Sequence, residues 1–186
     1  MSNAFALLGL PRVAALDAEA LQQAWLTASR SAHPDQPGGD ATRSAEINAA
    51  YETLQTPEKR LKHLLELHQV PWRAVPIDHA MMALFGQLGP VLQNIAAFLK
   101  RRQAASSALA KALLTPEEMH LREQLEALGT TLDAERSALL ETLPTFDAHL
   151  NSGDTDVLAE LQILQARLSY LGKWQAQVRE ALLSLM

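Results

Sequence analysis

A chain of 186 residues is long enough to form one or two domains that each bury a core of their own. It contains no cysteine, which excludes disulfides, thiolate metal sites and cysteine nucleophiles, and its 16 basic and 21 acidic residues give a formal net charge of -5. That balance argues against a nucleic-acid partner, and with no stretch reaching the roughly 18 uninterrupted apolar residues of a membrane helix, a soluble, cytoplasmic protein without a membrane partner is expected.

Ala, Leu, Glu and Gln are abundant and no period-2 stretch stands out, so the fold class is all-α. FALLGL forms a short apolar helical turn closed by Gly9 and Pro11. Asp17 N-caps a better-marked helix over 18–32, with Leu16 and Leu21 placed as a hydrophobic staple. Leu21, Trp25, Ala28 and Ala32 form its inner face, Gln23, Thr27 and Arg30 its outer one, and Pro34 is expected to end it. A third helix over 42–54 carries Ile47, Ala50, Tyr51 and Leu54 on one face. Thr56 and Pro57 then read as N-cap and first residue of a fourth. Helices two and three are expected to pack antiparallel, with HPDQPGG as the exposed connection.

VPWRAVP, residues 70–76, reads as a linker between a domain over 1–69 and a second over 77–186. The second opens with a wide apolar stripe from Met81 to Leu99, where Gly89-Pro90 is expected to kink or break the helix. Thr115-Pro116-Glu117-Glu118 reads as a restart running to about Leu143, and a last helix is expected from about Thr155 to Leu183. Three long helices suggest a bundle. Met81, Met82 and Phe85 read more as core than as interface, and Lys100 to Arg102 as a helix-end charge cluster.

The triplet His33-Pro34-Asp35 at the hairpin tip resembles the signature of J-domains, the modules that stimulate DnaK-type chaperones. FALLGLP resembles the opening of that module, INAAYETL its third helix and PEKR the start of its fourth. Physically, Asp35 offers a carboxylate to a partner's Arg, Pro34 fixes the turn and His33 holds the tip. The resemblance implies that His33, Pro34 and Asp35, supported by Gln23, Thr27 and Arg30, dock on the chaperone. Helix two departs from the J-domain pattern where that pattern is most basic, because Gln22, Gln23, Leu26 and Thr27 fill those places and leave Arg30 nearly alone. Gln36 also stands where a Lys is usual, so electrostatic steering should be weak.

With no Gly/Phe linker and no CxxC repeats, the chain most resembles HscB, the iron-sulfur co-chaperone family, closely from Phe5 to His68 and more loosely over RLSYLGKWQAQVREAL. That resemblance implies a J-domain hairpin followed by a C-terminal three-helix bundle, a DnaK/HscA-type chaperone as partner, and an IscU-type iron-sulfur scaffold as client. It also places the client surface at Met82 and Tyr170, with Met81, Leu84 and Phe85 beside them. Two features depart from the family: the run from Met81 to Arg102 holds no acidic residue, and the stretch after it is longer. A J-protein for another client, or a J-like structural adaptor without chaperone activity, therefore stays open. His63 and His68, five residues apart, read as a solvated or capped pair and not as metal ligands, and an exposed His33 and Asp35 lack the pocket that acid-base catalysis needs. No enzyme activity, metal or cofactor is expected.

Overall fold

The computed structural model describes residues 3–32 and 40–186. Its elements are α1 (Ala4–Leu7), α2 (Ala18–Ala32), α3 (Ala41–Gln55), α4 (Pro57–Leu67), α5 (His79–Ala104), α6 (Ala108–Glu141), α7 (Leu143–Asn151) and α8 (Val157–Ser184), with no strand among the described residues. The chain folds as two compact units, one from Met1–Val75 with Leu139–Leu168, the other from Pro76–Ala138 with Ser169–Met186. The boundary falls inside both α6 and α8.

In the first unit the local sequence sets each helix start. Asn3 Oδ1 accepts from the Phe5 and Ala6 N–H groups, Asp17 Oδ1 from Ala20 N–H at 2.7 Å, and Asp40 Oδ1 from Thr42 N–H at 3.1 Å. Thr56 precedes α4 with extended backbone and Pro57 follows it as expected, but its hydroxyl makes no cap and is buried without a partner. Gly9 takes φ +66°, the left-handed geometry that turns the chain out of α1. The core of this unit gathers Phe5, Leu21, Ile47, Leu54, Leu61 and Leu64 from the N-terminal helices. Leu143, Leu161, Leu164 and Leu168 complete it from the far end of the sequence.

The second unit draws its buried side chains from α5, the body of α6 and the end of α8. A methyl group on Gly129 of α6 would sit 3.6 Å from Val178 Cγ1 of α8, so these two helices pack closely. Both expected interruptions are absent: α5 runs unbroken through Pro90, and α6 begins at Ala108 and runs through Pro116. Both prolines face solvent, where the carbonyls freed at Gly86 and Ala112 can be hydrated, which lowers the cost of an internal proline. α7 is a further helix that the sequence pattern did not show. α5 is long and apolar enough, by length and composition, to cross a membrane. It nonetheless buries Met81, Leu84, Leu88, Ile95 and Phe98 at the spacing of an amphipathic bundle helix.

Candidate functional site

His33, Pro34 and Asp35 lie outside the described residues, as does Gln36. α2 and α3 stand on either side of them in the sequence. α2 packs on α3 through Trp25, whose ring lies 4.9 Å from that of Tyr51 and whose Nε1–H donates to Asn48 Oδ1 at 2.9 Å. That contact turns Gln23, Thr27 and Arg30 outward as one exposed row at i, i+4 and i+7. Thr27 Oγ1 spends its hydrogen on the Gln23 carbonyl at 2.9 Å, leaving Arg30 as the charged member of the row.

At the end of α2 the Ala32 carbonyl accepts twice, from Asp40 N–H at 3.2 Å and from Ser44 Oγ at 2.8 Å. The last described residue before 33–39 and the first after it are thus held together. Nothing in the sequence pattern singled out Ser44, because a serine in the first turn of a helix reads only as a helix-start residue.

Two polar residues of α4 do what sequence reasoning missed. Arg60 is buried, with Nε donating to Ala14 O at 2.9 Å and a terminal nitrogen donating to Leu54 O at 2.8 Å. Burial lowers its pKa from the usual guanidinium value, while Asp147 and Glu58 pull it back up. His63, expected to be solvated or capped, is only 7% exposed. Its Nε2 accepts from Ala4 N–H at 3.0 Å and its ring stacks on Phe5 at 5.9 Å, which fixes α1 on α4. Since Nε2 is an acceptor, the neutral ring carries its hydrogen on Nδ1, 3.8 Å from the Glu66 carboxylate. Burial lowers the pKa of His63, Glu66 opposes that shift by charge and hydrogen bond, and Arg12 adds to it. His68 caps the end of α4 and is exposed. Among the described residues no cluster of three or more His, Asp or Glu could hold a metal ion.

In the second unit Met82 and Phe85 are each 51% exposed and Tyr170 is half-buried. Met81 and Leu84, at 4% and 9% exposure, turn inward. Trp174, which the sequence reading left unmarked, joins the exposed residues of the two helices: its ring lies 6.0 Å from Phe85 and 5.9 Å from Tyr170. The signal was present as Tyr170 and Trp174 one helical turn apart on the same face. The charge cluster at the end of α5 is used within the unit. Arg101 pairs with Glu117, and Arg102 donates to the Ser184 and Leu185 carbonyls at 2.6 and 3.2 Å, closing the end of α8.

No protein-family model matches the chain. Among curated proteins it is 34% identical over 145 residues to the co-chaperone protein HscB homolog of Cupriavidus taiwanensis, covering 70% of this chain and 77% of that protein. The chain belongs to the HscB co-chaperone family. Its counterpart in Chromobacterium violaceum is 38% identical over 74 residues, 36% of this chain and 42% of the relative. Among solved structures, chaperone HscB from Vibrio cholerae superposes with a TM-score of 0.65 at 22% identity and covers 100% of both chains. The all-α fold, a J-domain with a helical bundle, is therefore the HscB fold, and the role is that of a co-chaperone.

Proposed function

We propose that this HscB-family chain docks on a DnaK/HscA-type Hsp70 chaperone through residues 33–35, stimulates its ATPase and delivers an IscU-type iron-sulfur scaffold. In this reading residues 1–69 are the J-domain, 70–76 a linker and 77–186 the client-binding domain. Asp35 meets a chaperone guanidinium with charge-assisted hydrogen bonds, His33 and Pro34 hold the tip, and Gln23, Thr27 and Arg30 face the same partner. Met82, Phe85 and Tyr170, the last two in ring contact with Trp174, form the exposed part of the client face, with Met81 and Leu84 turned inward beside them. The observation that supports the reading is the outward row on α2, together with the bonds that hold Asp40 and Ser44 to the Ala32 carbonyl on either side of residues 33–39. Each tenfold gain in hydrolysis rate requires only about 1.4 kcal/mol of preferential binding to the committed chaperone state, which a hairpin tip can supply.

The test is single-turnover ATP hydrolysis by a DnaK/HscA-type chaperone with and without this chain. Wild type should accelerate it, and Asp35→Asn, which keeps size and deletes charge, should abolish most of the acceleration without moving the melting temperature. Equal stimulation by both would remove the triplet from the mechanism. The nearly neutral row on α2 favours a second reading, a structural adaptor without chaperone activity. No stimulation by wild type at any concentration is its signature.

A further inference from the structure

The loop that launches α2 is gripped from two sides. Asp147, on α7, presents both carboxylate oxygens to it: Oδ1 accepts from Ala14 N–H at 2.6 Å and Oδ2 from Ala15 N–H at 2.8 Å. Arg60, on α4, donates to the carbonyl of Ala14. The peptide group between Ala14 and Ala15 therefore has its oxygen on a cation and its N–H on an anion, a charge-assisted arrangement at both ends of one dipole. Ala14 is fully buried and Ala15 and Asp147 are half-buried, so water is shut out of the Arg60 bond and competes little for the Asp147 pair. α7 is itself anchored, because Leu143 belongs to the core of the first unit and Phe146 and Leu150 pack against it.

We infer that Asp147 is a positioning residue for chaperone docking: through the Ala14–Ala15 peptide it sets the direction in which α2 leaves the core, and with it the row Gln23, Thr27 and Arg30. This rests on the co-chaperone reading above and adds to it a determinant from outside residues 1–69. The lever is geometric. At 1.5 Å rise per residue the row lies about 9 to 20 Å along the helix from Asp17, so a tilt of about 10° at the clamp would displace Arg30 by about 3 Å. Such a shift would break a bidentate contact while leaving the helix itself intact. In Asp147→Asn one oxygen becomes an amide N–H2 that opposes a backbone N–H, and Arg60 loses the nearby charge.

The experiment uses the full chain, Asp147→Asn, and Leu164→Ala as a control for loss of packing in the same core, at a temperature where melting curves show all three folded. Nitroxides at Gln22→Cys and Ala148→Cys, introduced into the otherwise cysteine-free chain, report the α2–α7 distance. Titration of a DnaK-type chaperone reports half-saturation and maximal stimulated hydrolysis. Asp147→Asn should broaden the distance distribution and raise the half-saturating concentration about fivefold with the maximal rate unchanged, whereas Leu164→Ala should do neither. Unchanged half-saturation in Asp147→Asn, or an equal rise in Leu164→Ala, overturns the inference. A wild-type chain that fails to stimulate refutes the co-chaperone reading and this inference with it, a result distinct from normal stimulation with equal half-saturation.

Discussion

His63 ties α1 to α4 only while it is neutral, so acid should loosen the first unit in a defined way. At pH 7.5, His63→Ala removes the acceptor of a buried N–H and a ring stacked on Phe5. An unmet buried donor costs about 1 to 3 kcal/mol and the cavity adds to it, so a loss of about 2 to 4 kcal/mol is expected. Protonation produces part of the same damage without mutation, because a hydrogen on Nε2 would face the Ala4 N–H. The folded pKa lies below its usual value, since burial disfavours the cation more than Glu66 favours it. The unfolded ring titrates near about 6.5. Stability from this group is therefore fully present above that pH and falls as pH drops below it, by at most about 1.4 kcal/mol per unit until the folded pKa is reached. Urea melts followed by circular dichroism at pH 7.5, 6.5 and 5.5 measure the effect as the gap between wild type and His63→Ala, which cancels the other titrating groups. The gap should narrow on acidification. Parallel curves across the range would refute the neutral, buried acceptor.

Restoring charge to the outward face of α2 with Gln23→Lys and Thr27→Arg should tighten chaperone binding and steepen its salt dependence, as seen in association rates at two ionic strengths. Unchanged rates at low salt would show that this face does not meet the chaperone. On the client side, Met82→Ala with Tyr170→Ala should weaken binding of an IscU-type scaffold at least about tenfold while leaving ATPase stimulation without scaffold intact, since truncating interface anchors typically costs about 2 kcal/mol or more. Normal scaffold binding, or a melting temperature far below wild type, would move the client face elsewhere.

Much of the fold could be read from patterns that have a local cause. Asp17 starts its helix with a side-chain cap, and the 3.6-residue spacing of Ile47, Ala50 and Leu54 matches the buried face of α3. Where local rules failed, tertiary context had changed their cost. Pro90 and Pro116 read as breaks, yet each sits on a solvent-facing side of a helix held by its other face. The candidate site divided in the same way. The row on α2 follows from periodicity, but Arg60, His63 and Asp147 carry polar side chains that pattern reasoning assigns to the surface. Their partners are backbone groups of Ala4, Ala14, Ala15 and Leu54, remote in sequence for all but one of these contacts, and no residue-type pattern encodes a backbone N–H or carbonyl. Trp174 was missed for a simpler reason: an aromatic among leucines on a long helix looks like any core residue.

The first unit's composition also constrains how the protein can be made. Leu143, Leu161, Leu164 and Leu168 share its core with Phe5 and Leu54, and residues 76–138 must be synthesised between them. A ribosome releases α1 to α4 long before it delivers those leucines, so the nascent helices wait with part of their apolar face exposed to water. Closing so long a loop adds little entropy cost compared with a shorter one, since that cost grows only logarithmically, but it imposes a delay. During that interval the N-terminal helices are themselves an unfinished apolar surface, exposed to aggregation until the C-terminal leucines arrive.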